Sequence, residues 1–315
     1  MSAGTTVAAP GRVEVGGAVA RRPGPSLAGG RGGIWFVLPF MVVYAAFVLW
    51  PLLYGLGMSF FDTSLVRDES QFVGLANYAQ LFADTEVWRT LWVTILFTVG
   101  STVPLVLVAL VMALLVQTGI GGRWFWRFAY FAPFLLPVAT VALIWEWLFS
   151  GDFGLFNGIL TWLGLPTVGW LTEQEIGLWS VVILTVWWTV GFNFLLYLAA
   201  LQGIPAQLYE AAEIDGAGGW RRLFSITLPL LNRTTGLVVV LQVLASLKLF
   251  DQAYILYDAS GGPGGSATPI LQYVYETGFT DYRLGYASAI SYMFFALIIL
   301  IALVQSRLSN RRSEP

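Results

Sequence analysis

Six long apolar runs alternate with polar segments along the 315 residues. They extend from Ile34 to about Phe61, Val87 to Val116, Phe128 to Phe149, Ile176 to Leu201, Thr234 to Tyr257 and Leu284 to Ser306. About 20 apolar residues span a bilayer's hydrocarbon core as a helix. The pattern therefore predicts an all-α, polytopic membrane helix bundle with six transmembrane helices. Pro39 and Pro51 are expected to bend the first, which membrane helices tolerate where neighbours satisfy the freed carbonyls. That run is too long for the apolar core of a cleavable signal peptide. Residues 1–33, rich in Gly, Ala and Pro, read as a disordered tail. Residues 34–86 read as the first helix with its following polar segment, 87–306 as a five-helix block with a polar loop at 203–232, and 307–315 as a C-terminal tail.

Six spans place both termini on one side of the membrane, and the basic residues say which. The N-tail, the turn after the second span, the 203–232 loop and the C-tail hold Arg12, Arg21, Arg22, Arg31, Arg123, Arg127, Arg221, Arg222, Arg233, Arg307, Arg311 and Arg312, 12 of the 16 Lys and Arg residues. The opposite loops hold Arg67, Arg89 and Arg283 and most of the acidic residues. Positive charge accumulates in cytoplasmic loops, so both termini and the 203–232 loop are predicted to be cytoplasmic. Composition agrees: 57% of residues are hydrophobic and 11% charged, against about 25% charged in soluble domains. The chain has no cysteine and no histidine, which removes disulfides, thiolate chemistry and the commonest general base and metal ligand.

The most informative polar stretch is Glu210 to Pro229, EAAEIDGAGGWRRLFSITLP. Glu210, Ala211 and Ala212 favour helix. Asp215 and Gly216 end it, because glycine accepts the left-handed geometry of a helix C-terminus. Arg221 to Phe224 can start a second short helix, and Pro229 marks entry into the fifth run. A helix–turn–helix with alanines on one face can press into a groove on another protein. The pattern Glu210-Ala211-Ala212, Asp215-Gly216-Ala217, Phe224, Ile226, Leu228-Pro229 resembles the EAA loop of permease subunits of bacterial ABC importers, and matches the sugar-transporting, maltose- and glycerol-phosphate-like branch most closely. Three other stretches resemble the same branch: Gln71 to Tyr78 with Leu81-Phe82 after the first span, Gly154 and Asn157, and Gly261-Gly262-Pro263 with Thr268. The segment after the first span reads as a short amphipathic interfacial helix.

The resemblance covers about Ile34 to Ser306. It implies a type I importer permease in the bacterial cytoplasmic membrane, moving a sugar or another polar solute such as glycerol phosphate. It implies a second permease subunit, two ATP-binding subunits that use ATP and magnesium, and an extracytoplasmic solute-binding protein, with no cofactor in this chain. By that resemblance Glu210, Ala211, Ala212, Asp215, Gly216 and Ala217 dock into the ATPase.

Charged and polar residues inside spans usually face a partner or an aqueous path. Lys248 and Asp251, three apart in the fifth run, are expected to share a helix face. Asn193 and Tyr197 lie four apart in the fourth. These four are the substrate-path candidates, because a sugar site needs hydrogen-bonding groups and aromatic faces. The bland alternatives are an intrahelical ion pair for the first two and interhelical hydrogen bonding for Asn193. Trp187 and Trp188 read as packing or lipid-facing. Gly261 to Gly265 lacks the Gly-Lys-Ser/Thr of a phosphate-binding loop, so the chain is not expected to hydrolyse ATP. A membrane enzyme with Glu146 or Asp251 as acid or base is the competing class; the lack of histidine and of a clustered carboxylate pair weighs against it. A non-transporting scaffold would explain the spans but not the loop spacing.

Overall fold

The computed structural model describes residues 32–64, 66, 70–118 and 121–311. The expected disordered tail, 1–33, therefore falls almost wholly outside the described residues, as do Arg67 and Arg312. The chain divides into two compact units, one ending at Leu53 and the other starting at Tyr54.

Helix α1, Gly32–Tyr44, passes through a π-turn, Ala45–Leu49, into α2, Trp50–Met58. Pro51 lies just past the π-turn, where its missing N–H and its ring disturb the ladder. The next segment differs from the expected lone interfacial helix. Strands β1, Phe61–Asp62, and β2, Gln71–Phe72, pair antiparallel before α3, Ala76–Ala83. Buried Asn77 fastens this hairpin, donating from Nδ2 to the carbonyls of Ser59 at 2.9 Å and Phe61 at 3.0 Å.

Helix α4, Thr85–Gln117, is the second span. It packs along α8, Gln174–Gln202, the fourth. Val106, Ala109 and Ala113 of α4 and Phe194 and Leu198 of α8 share one buried cluster. Asp84 caps α4, accepting from the Glu86 amide at 2.9 Å. It also accepts the hydroxyls of Tyr273 at 2.8 Å and Tyr286 at 2.7 Å. Tyr273 lies in α13, Ile270–Tyr275, and Tyr286 in α14, Leu284–Arg311. Burial pushes the Asp84 carboxyl up, but these tyrosine and backbone hydrogen bonds outweigh it and hold it below its usual value. Tyr273 is pushed up to about 12, by burial and then by Asp84. A depressed carboxylate stabilises the fold above its unfolded value and loses that contribution as pH falls through the lower folded value. Melting of the purified protein should thus drop below about pH 4, and Asp84→Asn should lower it at neutral pH while flattening that acid limb.

The third span is not the straight helix expected over 128–149. Residues Arg123–Leu135 and Val138–Phe149 are bent by 98°. They comprise α5, Arg123–Phe131, a short 3-10 turn, and α6, Val138–Phe149. Leu136 stands before Pro137, and the residue before a proline is driven to extended backbone; its ψ is 140°. The Trp188 indole of α8 donates to the freed Leu136 carbonyl at 3.2 Å, as broken membrane helices require. Gly191 lets α5 close on α8, because a Cβ there would strike the Tyr130 carbonyl.

After α6 come α7, Leu155–Trp162, and α8. The polar loop forms α9, Ala206–Ile214, and α10, Gly219–Arg222, which continues through a π-turn into α11, Leu228–Ser246. The fifth span therefore starts well before the expected Thr234, with Gly219–Ser246 apolar and long enough to cross. It also stops early: α12, Asp251–Leu256, is a separate helix. Helix α14 runs to Arg311, so the expected tail from 307 continues the sixth span. Among the described residues five helices can each cross a membrane, and the bent pair makes a sixth. The all-α membrane bundle expected from the apolar runs is the observed architecture.

Candidate functional site

Two places gather the residues singled out above: the α9–α10 elbow and the end of α11. At the elbow, α9 closes in a Schellman arrangement. The Gly216 amide donates to the Glu213 carbonyl at 3.0 Å and the Ala217 amide to that of Ala212 at 2.8 Å. Gly216 has φ +74°, a conformation open to glycine and strained for other residues. Arg222 reaches Glu213 at 3.4 Å, and the Tyr209 hydroxyl meets that of Thr227 at 3.0 Å, which ties α9 to the base of the fifth span. Glu210, Ala211, Asp215 and Gly216 are exposed, while Ala212 and Ala217 are half-buried. Around them stand exposed Leu208, Ile214, Trp220 and Phe224, with Ile214 at 87% and Trp220 at 76%. Trp220 and Phe224 stack at 6.0 Å. Large apolar side chains on a polar turn mark an interaction surface; the residue pattern pointed to the alanines and Phe224 but not to Leu208, Ile214 or Trp220.

At the end of α11 the helix fails without proline or glycine. Leu247 and Leu249 are both buried at 1%, a period of two that no α-helix can satisfy. Lys248 and Asp251 are exposed on either side of the break. They do not share a helix face as expected, since Lys248 follows the end of α11 and Asp251 opens α12, and among the described residues they form no ion pair. Next to them Phe250 stacks on Tyr254 at 5.1 Å, and Tyr275 closes on both at 5.7 Å. Phe250 and Tyr254 flank the break in sequence, whereas Tyr275 comes from a distant chain position and left no signal there.

Asn193 and Tyr197 belong to a different place. Both are buried, at 1% and 0% exposure. The Asn193 amide donates to Gln242 Oε1 at 2.8 Å. Gln242 Nε2 donates to Ser246 Oγ at 3.0 Å, and Ser246 meets Ser101 Oγ at 2.9 Å. This buried polar chain joins α8, α11 and α4. Of its members only Asn193 stood out in the sequence; Gln242 and Ser246, four apart and so on one helix face, were missed.

At the far end, Arg89 of α4 bonds both Glu86 and the Gly265 carbonyl. Gly261, Gly262, Gly264 and Gly265 all have positive φ, so the glycine loop is a compact turn latched to α4. In the preceding loop buried Asn157 accepts from the Val168 amide at 3.0 Å and the Trp170 indole at 3.2 Å. Among the described residues no cluster of acidic side chains could hold a metal ion.

Residues 79–314 match the family described as binding-protein-dependent transport system inner membrane component. The chain belongs to this family. The permease is 32% identical over 276 residues to the sulfoquinovosyl glycerol transport system permease SmoG of Agrobacterium fabrum, covering 87% of this chain and 89% of SmoG. It is 35% identical to the trehalose/maltose transport system permease MalF of Thermococcus litoralis, covering 90% and 95%, and 34% identical to the sn-glycerol-3-phosphate permease UgpA of Shigella flexneri, covering 86% and 91%. Among solved structures, a bacterial ABC transporter that imports the acidic polysaccharide alginate superposes with a TM-score of 0.79 at 25% identity, over 90% of this chain and 98% of that one. The permease is thus a transport subunit of the inner membrane, which sets aside the membrane-enzyme reading of Glu146 and Asp251.

Proposed function

We propose that this permease carries a sugar across the bacterial cytoplasmic membrane as one subunit of an ATP-driven importer. Its companions are a second permease subunit, two ATP-binding subunits and an extracytoplasmic solute-binding protein. No cofactor belongs to this chain; ATP and magnesium act in the ATP-binding subunits. Both termini and the α9–α10 elbow face the cytoplasm, on the strength of the arginine distribution.

The break between α11 and α12 carries the substrate assignment. Irregular backbone at the end of a span is tolerated where it is buried in protein or lines a watery cavity, and transporters build binding sites from helix interruptions. Here the interruption presents Lys248 and Asp251 to the outside of the subunit beside Phe250 and Tyr254. Charged hydrogen-bonding groups next to aromatic rings suit a sugar, whose hydroxyls need partners and whose C–H faces need an apolar plate. Asn193 holds the approach to this wall through Gln242 and Ser246, while Tyr197 packs between the helices. The elbow residues Glu210, Ala211, Ala212, Asp215, Gly216 and Ala217 seat in the ATP-binding subunit, with Ile214, Trp220 and Phe224 as the apolar rim. Closure of the ATP-binding subunits then moves α11 through the continuous α10–α11 helix.

Exposed Lys248 also favours a second reading, an anionic solute such as glycerol phosphate. Uptake of labelled mono- and disaccharides and of glycerol 3-phosphate, by cells with and without this chain, separates the two. Sugar uptake that vanishes with the chain supports the first; loss of glycerol 3-phosphate uptake alone supports the second.

A further inference from the structure

The 98° bend in the third span leaves a groove beside it. It has a volume of about 840 Å³, within the range of about 300–1,000 Å³ typical of small-molecule sites. It runs from Pro104 to Met112 on α4 and from Val182 to Val190 on α8, in each case about 12 Å along the axis. Tyr130, Ile144 and Trp187 line it between those helices, and no charged side chain faces it. All of these residues lie within the apolar spans or the bent pair, so the groove lies at bilayer depth.

One mouth is strongly basic. Arg123, Arg127 and Tyr130 stand at i, i+4 and i+7 on α5, one stripe of that helix, and Tyr130 is the stripe's entry into the groove. Both arginines are exposed. Neither makes an ion pair or side-chain hydrogen bond among the described residues. Around them Trp124, Phe125 and Phe128 are also exposed, the residue types that anchor a helix at the headgroup level. An apolar slot at bilayer depth with two free guanidinium groups at its mouth matches one molecule: a lipid whose headgroup is anionic.

We propose that an anionic phospholipid of the cytoplasmic leaflet is a bound ligand of this permease, its phosphate between Arg123 and Arg127 and an acyl chain in the groove between α4, α6 and α8. The leaflet rests on the cytoplasmic placement of the elbow; the binding site does not. The bound chain fills the angle that the Leu136–Pro137 bend opens and braces α5 against α8.

Native mass spectrometry of the full-length protein, released from detergent after exposure to equal amounts of dioleoyl phosphatidylglycerol and dioleoyl phosphatidylcholine, tests the site. The wild type should retain one phosphatidylglycerol with a preference of about thirty-fold, the ratio expected from two arginines beside an anionic headgroup. Arg123→Gln with Arg127→Gln should bring the two lipids to parity. Val108→Trp, at an exposed groove position, should lose both lipids without loss of helicity. Equal retention by the wild type, or an unchanged preference in the arginine variant, overturns the proposal. So does a lipid held by the isolated chain but absent from the assembled importer, since the second permease subunit would then be the occupant. The readout involves neither sugar nor ATP, so failure of the transport reading leaves it intact and its own failure leaves transport intact.

Discussion

Glu210→Lys and Gly216→Pro are expected to leave this permease inserted and folded while abolishing coupled uptake. The two substitutions act on different links of the chain. Glu210 is exposed on α9, so reversing its charge removes a contact to the partner without touching the internal packing. Gly216 acts through the backbone. Its φ of +74° is closed to proline, whose ring fixes φ near −65°. Proline also lacks the N–H that donates to the Glu213 carbonyl. The local cost is about 1–3 kcal/mol, which an element with no buried core of its own cannot absorb. The elbow would re-aim, and Ile214 and Trp220 would no longer present together. In proteoliposomes with the ATP-binding subunits, ATP hydrolysis should lose its stimulation by substrate-loaded binding protein, and uptake should fall to background. Gly216→Ala should retain part of the activity, because alanine reaches positive φ at about 1–2 kcal/mol. Normal uptake by both Glu210→Lys and Gly216→Pro would refute the docking role.

The second large effect belongs to the break after Ser246. Asp251→Ala should raise the KM for sugar uptake by about ten- to a hundred-fold, the worth of one charge-assisted hydrogen bond of about 1.5–3 kcal/mol. Tyr254→Ala should act in the same direction through loss of a stacking face. Both side chains stand outside the buried clusters, so stability should change little. Asn193→Leu makes the opposite pattern. It strands the Gln242 Oε1 that it now bonds and should lower the melting temperature in detergent, with KM unchanged. An Asp251→Ala permease with wild-type KM would remove the break from the substrate path.

Different features of this chain were legible for different physical reasons. Span length is a one-dimensional property, so six apolar runs were enough to place α4, α8 and α14 within a few residues of their ends. The turn at Gly216 was legible because a single residue type accepts that geometry. The bend in the third span had its signal in Leu136-Pro137, yet the pattern alone does not tell a tolerated proline from a 98° break; the decision rests with Trp188, which satisfies the freed carbonyl from another helix. The break in the fifth span has no local signal at all. It follows from Leu247 and Leu249 both turning inward and from Ser246 being held by Ser101 of α4, contacts between residues far apart in the chain. The same distance hid the partner of Asn193, which lies 49 positions away on another helix.

The chain contains no cysteine, so one introduced thiol is unique within it. Gln207→Cys on the exposed face of α9, co-expressed with the ATP-binding subunits and treated with a short thiol cross-linker, asks directly whether the elbow is the motor's attachment point. A permease–ATPase adduct whose yield changes with nucleotide is the predicted result. A thiol that yields no adduct, and that a membrane-impermeant maleimide labels from outside intact cells, would contradict it.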